Sequence, residues 1–186
     1  MTAPIQLGVL GTSRPGDVPG VVESARRLGT LLPADRMIVL TGACGGYPDA
    51  LAAGFRSCGG RVVGYSPGKD LEDHVAGGSP VDNCDEMLFG FGGLIERQVA
   101  LVRRASVVLA LGGNVGTLSE LCIAVKMQKP MVLVRGFPGI GPRFVELLDQ
   151  LTVYPTPRVR MVSIENAAGA VTAFATEGEP SSRGRG

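Results

Sequence analysis

The run Leu111-Gly112-Gly113-Asn114-Val115-Gly116-Thr117-Leu118-Ser119-Glu120 puts three glycines, a hydroxyl and a carboxylate into one short segment. It follows an apolar run, residues 106–110, that reads as a buried strand, and it leads into residues 121–128, which read as a helix. Glycines at a strand-to-helix turn let a ligand approach bare backbone. The first amides of the helix then point at that ligand, and the helix dipole favours an anion. A phosphate suits such a place. Glu120, one turn further in, sets a carboxylate beside it. The chemistry suggested is capture of a phosphorylated small molecule with an acid or base close by.

Other nucleotide motifs do not fit. The dinucleotide fingerprint Gly-x-Gly-x-x-Gly is absent after every strand-like run, and Gly8-Val9-Leu10-Gly11 lies largely within the first of them. Gly64 to Asp70 contains Gly-Lys but is one residue too short for a P-loop, with Asp70 where a Ser or Thr would bind magnesium. A pyridoxal phosphate enzyme would need Lys69, Lys126 or Lys129 for its Schiff base, and the last two read as solvated helix-end residues. Cys44, Cys58, Cys84 and Cys122 form no Cys-x-x-Cys pair, so metal and redox spacing is lacking. Free, mostly buried thiols are expected. No cofactor and no metal are called for.

The elements that must position the glycine segment read as an alternation. Strands are expected at 5–10, 37–40, 61–65, 106–111, 131–134 and 159–164. Helices are expected at 18–32, 47–58, 88–104, 117–128, 142–150 and 165–175. The stretch 66–86 has scattered Pro, Gly and acids, and reads as a long functional loop with at most one short strand. Strands that are apolar throughout, alternating with helices, predict an α/β chain: a Rossmann-like, doubly wound parallel sheet of six or seven strands with helices on both faces. Ligands bind such sheets at the strand C-termini, where strand order reverses. The loops 11–16, 42–46 and 112–117 should therefore converge on one crevice.

The bulk numbers bound the rest. A chain of 186 residues with 45% hydrophobic content reads as one domain, 1–176, followed by a disordered tail, 177–186. A net charge of +1 carries no nucleic-acid or membrane footprint. No segment reaches the roughly 18 apolar residues of a membrane helix. Met1-Thr2-Ala3-Pro4 leads straight into a strand without a signal-like stretch, so a cytoplasmic location is expected.

The segment Gly112 to Glu120 resembles the Pro-Gly-Gly-x-Gly-Thr-x-x-Glu signature of the "Lonely guy" (LOG) family, the cytokinin riboside 5′-monophosphate phosphoribohydrolases often mislabelled lysine decarboxylases. Leu94-Ile95-Glu96-Arg97-Gln98 is similar to the family's Met-His-Glu-Arg-Lys, Gly11-Thr12-Ser13-Arg14 to its Gly-Ser-Ser loop, and Thr41 to Gly46 stands where it has a Gly-Gly-Gly stretch. The resemblance covers residues 5–175. Leu111 replaces the motif's proline, and Leu94, Ile95 and Gln98 replace Met, His and Lys. Cys44-Gly45-Gly46-Tyr47 also looks like a sister group that includes molybdenum-cofactor carrier proteins.

What the resemblance implies is cleavage of the N-glycosidic bond of a nucleoside 5′-monophosphate, a cytokinin riboside monophosphate or AMP, to free base and ribose 5-phosphate. Glu120 would stabilise an oxocarbenium-like transition state and accept a proton from water, and Arg97 would keep it ionised or hold the ligand. Gly112, Gly113, Asn114, Val115, Gly116 and Thr117 would bind the phosphate, and Gly11, Thr12, Ser13, Gly45 and Gly46 would line the rest. The alternative on the same fold is a non-catalytic carrier or sensor of a nucleotide or of molybdenum cofactor. The family also implies a homodimer or larger homo-oligomer, with residues 88–104 and 121–127 as candidate contact faces.

Each residue has an architectural reading too. Thr117 and Glu120 have capping-box spacing, with Thr at the N-cap and Glu at the third helical position. Arg97 could be a solvated helix residue. His74, the one histidine, reads as a surface residue. Asp82, Asp85 and Glu86 read as loop caps, with a place beside ribose hydroxyls as the alternative.

Overall fold

The structure, a computed structural model, describes residues 3–14, 18–151, 155 and 157–177. Seven strands form one parallel sheet: β1 (Ile5–Gly11), β2 (Met37–Thr41), β3 (Arg61–Tyr65), β4 (Glu86–Leu88), β5 (Val107–Leu111), β6 (Met131–Val134) and β7 (Val159–Val162). Their order is β4-β3-β2-β1-β5-β6-β7. The chain winds outward from β1 in one direction and then returns to build β5, β6 and β7 on its other side. The switch point lies between β1 and β5, where Gly11 stands in register with Leu111. A doubly wound sheet leaves a crevice at the C-terminal ends of the strands on either side of that switch.

Seven helices connect the strands: α1 (Val21–Leu31), α2 (Gly46–Ser57), α3 (Leu71–Ala76), α4 (Leu94–Arg104), α5 (Val115–Lys126), α6 (Gly141–Gln150) and α7 (Ile164–Thr176). Because side chains alternate across a strand, Leu7 and Val9 face one side and Leu10 the other. The first side meets α1, α2 and α7 through Leu28, Leu51, Phe55, Val171 and Phe174. The second meets α4, α5 and α6 through Leu101, Val102, Leu121, Ala124 and Phe144. Every residue of β5 is buried, as a central strand covered on both faces requires.

The main departures from the sequence expectation fall at three places. The stretch read as a loop at 66–86 contains α3, whose start is capped by Asp70 accepting from the Asp73 amide at 2.8 Å. Six residues are too few for a helical period to register, although an Asp cap followed by Glu72 and Asp73 was a legible start signal. The helix expected from Leu88 begins at Leu94. Gly90, Gly92 and Gly93 all have positive φ, and residues 86–88 pair with β3 as an edge strand instead. The helix expected from Thr117 begins at Val115 with Asn114 as its N-cap, the Asn114 Oδ1 accepting from the Gly116 amide at 3.3 Å. Asn is at least as good an N-cap as Thr, and it comes first along the chain. The tail expected from Glu177 lies outside the described residues except for Glu177 itself, which pairs with Arg158 and Arg160 at 2.7 and 2.8 Å.

Helices α1 and α2 touch through glycine. A Cβ on Gly54 would strike the Arg26 carbonyl, and one on Gly29 would strike the Leu51 carbonyl. On helix propensity alone, Gly54→Ala would stabilise α2 by about 1 kcal/mol. The clash is with rigid backbone, so the expected result is a net loss of about 2 kcal/mol or more. Chemical denaturation of the variant checks this. An unchanged or raised midpoint would show that the helices can part without cost.

Candidate functional site

The crevice at the switch point holds a cavity of about 260 Å³. Its walls come from the C-terminal end of β1 (Gly11, Ser13), the β2–α2 turn (Gly42, Cys44, Gly45, Pro48), one face of α4 (Leu94, Arg97, Gln98) and the first turns of α5 (Asn114, Gly116, Thr117, Glu120). The three glycine-rich loops meet here, as the alternation of elements predicts. Leu94, Arg97 and Gln98 share a helical face at spacings of three and four. So do Thr117 and Glu120 on the neighbouring helix.

At the base of the cavity the Arg97 Nη1 donates to the Glu120 Oε1 at 2.9 Å. Both residues are only 6% exposed. Arg97 is therefore not the solvated residue of the alternative reading. Two further contacts run beside this pair. Gln98 Nε2 donates to the Gly116 carbonyl at 3.3 Å, and the Ser119 hydroxyl donates to Gln98 Oε1 at 3.1 Å. Helices α4 and α5 are thus cross-linked by neighbouring polar contacts, one charged and two neutral.

Burial pushes the Glu120 carboxyl up to about 7, and the Arg97 charge and hydrogen bond only partly offset that effect. Arg97 acts toward ionisation, as expected, but desolvation is the larger of the two effects. The capping-box reading is overturned. Thr117 lies at the third position of α5 and Glu120 lies beyond the first turn, so neither caps the helix. Thr117 is 2% exposed, and its Oγ1 has no hydrogen-bond partner among the described residues. Neither has the buried Nε of Arg97. Buried polar atoms are nearly always paired, and these two belong to residues in the walls of one cavity.

The glycine loop also has an architectural part. The Gly113 amide donates to the Pro138 carbonyl at 3.1 Å, and the Gly113 carbonyl accepts from Ile140 at 2.9 Å. Gly113 has φ of 100°, and a Cβ there would strike the Thr117 hydroxyl, while one on Gly112 would strike Pro138. The two glycines dock the loop on residues 137–139 and make room for Thr117. The Gly116 amide is engaged by Asn114. Val115 is exposed and faces a shallow depression with Leu118, Ile140 and Arg143 on the other side of the loop. Thr12 and Gly46 do not line the cavity; the Thr12 carbonyl accepts from the Tyr47 amide at 3.1 Å and ties two of the loops together.

Residues outside the cavity also depart from expectation. His74 is buried rather than on the surface, its Nε2 donating to the Pro80 carbonyl at 3.1 Å and its Nδ1 accepting from the Ser66 hydroxyl at 2.8 Å. The tautomer follows from the carbonyl, which can only accept. Asp85 accepts from the Val62 amide at 2.8 Å and pairs with Arg56, and Glu86 pairs with Arg61. Neither lines the cavity, and nor does Asp82. The cysteines are not mostly buried: Cys58 and Cys122 are exposed, and Cys44 and Cys84 are half-buried. Cys44 stands in the cavity wall with its thiol donating to the Gly42 carbonyl at 3.0 Å. Sequence reading also passed over Leu94 and Gln98 as cavity residues. The spacing of Leu94 and Gln98 around Arg97 was the available signal.

A model of the SLOG cluster4 family matches residues 4–162, and the chain belongs to that family. An uncharacterized protein of Archaeoglobus fulgidus is 30% identical over 139 residues, which is 71% of this chain and 85% of the relative. The solved structure of TM1055 is similar with a TM-score of 0.76 at 24% identity, covering 91% of this chain and 99% of that one. The molybdenum cofactor binding protein from Rippkaea orientalis is similar with a TM-score of 0.74 at 26% identity, covering 95% and 99%. No helix among the described residues is long and apolar enough to cross a membrane.

The raised Glu120 value links the site to folding. A carboxyl whose folded value of about 7 exceeds its unfolded one contributes stability that is fully present below about 4.5 and lost as pH rises through 7. The stability difference between wild type and Glu120→Gln should therefore change across about pH 5 to 7, by up to about 1.4 kcal/mol per pH unit, against the wild type as pH rises. Denaturation of both proteins at several pH values measures it, and a difference independent of pH would contradict the assignment.

Proposed function

We propose that this SLOG cluster4 member binds a nucleoside 5′-monophosphate in the cavity at the β1–β5 switch point, and that Arg97 and Glu120 hydrolyse its N-glycosidic bond. The observation that carries the reading is the buried Arg97–Glu120 pair facing a cavity with two unpartnered polar atoms, Arg97 Nε and Thr117 Oγ1. A phosphorylated ribose supplies the oxygens those atoms lack. In this reading the bond from C1′ to the base nitrogen breaks and positive charge spreads over C1′ and the ring oxygen. Glu120, once ionised, stabilises that charge and takes a proton from the attacking water, whose oxygen bonds to C1′; the base leaves with the bonding electrons and receives that proton from the carboxyl or through solvent, which returns Glu120 to its ionised form. Arg97 orients the carboxyl, and the α4–α5 contacts through Gln98 fix where the two meet. The LOG resemblance supports the bond cleaved and the residues that cleave it.

A second reading is binding without turnover, as a carrier of a phosphorylated nucleotide-like ligand. The contact that favours it is the same one, because a carboxyl already held by a guanidinium at 2.9 Å is partly satisfied before any substrate arrives. The name of the structurally similar Rippkaea orientalis protein supports this reading as well.

Incubation with AMP and with isopentenyladenosine monophosphate, followed by chromatography for free base, separates the two. The expected result is release of base by the wild type, rising with pH through the neutral range as Glu120 ionises. Turnover should fall by at least a hundredfold in Glu120→Gln, whose amide is isosteric with the protonated carboxyl and so leaves the fold in place. Tight nucleotide binding with no base released would replace hydrolysis with the carrier reading.

A further inference from the structure

The cavity has one cation. Among the described residues that line it, Arg97 is the sole Arg, Lys or His, and Glu120 already holds it. The other usual source of anion recognition on this fold, the amides of the glycine loop, is partly closed. Gly113 donates to Pro138 and Gly116 donates to Asn114. The other polar side chains in the lining, Ser13, Gln98, Asn114 and Thr117, are neutral apart from Glu120, so an oxyanion that draws on a full positive charge in the cavity draws on Arg97, with the Thr117 hydroxyl beside it. That brings it against the carboxyl on the same guanidinium. Two anions cannot share one buried cation without a large penalty in a low-dielectric setting.

We infer that an oxyanion of the ligand docks on Arg97 in competition with Glu120, and that the Glu120 carboxyl takes up a proton from solvent as the anion binds. The inference deepens the proposed phosphorylated-ligand reading by naming the anchor and its regulation, and it rests on that reading only for the identity of the ligand. The proton restores balance: a neutral carboxyl leaves Arg97 one charge to give to the guest. Other groups facing Glu120 do not supply this proton relay. From the β1 end comes Ser13 and from α5 come Asn114 and Thr117, all neutral. From α4 come Arg97 and the neutral Gln98. From the β2–α2 turn comes Cys44, whose thiol is pushed up by burial and stays protonated in the neutral range. Glu120, with a value of about 7, is the one cavity group able to take a proton there.

The consequence is a cleft that loads at lower pH and releases at higher pH. It also sets binding against turnover. The protonated carboxyl holds the anion, while the ionised one serves hydrolysis, so affinity falls above about pH 7 and the turnover number rises only at the higher pH where the carboxyl ionises in the complex.

The test is calorimetric titration of wild-type protein with sulfate, which keeps a constant charge between about pH 6 and 9, alongside AMP and adenosine, each in two buffers of different ionisation heat. The expected result is that sulfate and AMP bind with uptake of about one proton at pH 8, and that affinity drops about tenfold per pH unit above 7. Adenosine, lacking the oxyanion, takes up none. Glu120→Gln binds sulfate with no pH slope and, at pH 8, more tightly than wild type. Arg97→Gln with Glu120→Gln removes both charges together, leaves no buried charge uncompensated, and loses sulfate at every pH. The inference is overturned if sulfate does not bind, if it binds without proton uptake, if Glu120→Gln keeps the wild-type slope, or if the double variant still holds sulfate. Sulfate has no glycosidic bond. AMP left uncut therefore overturns hydrolysis alone, and the sulfate titration still decides the anchor.

Discussion

The structure depends on one buried ion pair. Arg97 and Glu120 sit on different helices, at the one place where the sheet reverses its winding order, and each is desolvated by the same packing that brings them together. Removing Arg97 alone would strand the ionised carboxyl in low dielectric, which typically costs 3–5 kcal/mol. Keeping both stabilises little by itself, because desolvation consumes most of the Coulomb gain. A pair with that balance is poorly explained as a folding device. It is better explained by what it presents to the cavity: a guanidinium with an unpartnered Nε and a carboxyl poised to titrate near neutrality.

The surrounding architecture follows from the need to hold that pair still. Gln98 and Ser119, the immediate chain neighbours of Arg97 and Glu120, bond to each other and so repeat the cross-link one residue along. Gln98 also reaches the Gly116 carbonyl in the first turn of α5. That turn is fixed from its other side by Gly113, whose amide and carbonyl both engage residues 138–140. The glycines thus serve the helix start. The helix start serves Thr117 and Glu120, and α4 supplies the other half of the pair from across the cavity.

Much of this was legible in the sequence. Apolar strands alternating with helices gave the parallel sheet, and the three glycine-rich turns gave the crevice where they meet. Arg97 and Glu120 were named through motif resemblance, and the structure brings them into contact. What the sequence hid has specific causes. Helix α3 is too short to show a period. The start of α4 is set by Gly90, Gly92 and Gly93 rather than by the apolar run before them. The N-cap of α5 fell to Asn114 because a short carbonyl side chain stood three residues ahead of Thr117. His74 looked exposed because its partners, Ser66 and Pro80, lie on loops whose meeting no periodicity reveals. The raised value of Glu120 was not legible for a related reason. A salt-bridge partner can be inferred from motif spacing, but burial arises from the whole fold, and here burial is the larger effect.

In the proposed anchor, that last point distinguishes this cleft from a phosphate site built on loop amides alone. A loop of free backbone amides binds anions with fixed dipoles, and its affinity needs no proton. Here Gly113 and Gly116 direct their amides at their own chain, and Gln98, where the LOG motif has a lysine, adds no charge. Positive potential in the cavity therefore depends on how much of Arg97 the carboxyl leaves free. A lysine at position 98 would add a second buried cation beside Glu120, hold the carboxyl ionised and sever anion binding from its protonation. With a neutral glutamine in that place, the proposed anchor makes one proton the difference between a cation facing a ligand and a closed pair facing itself.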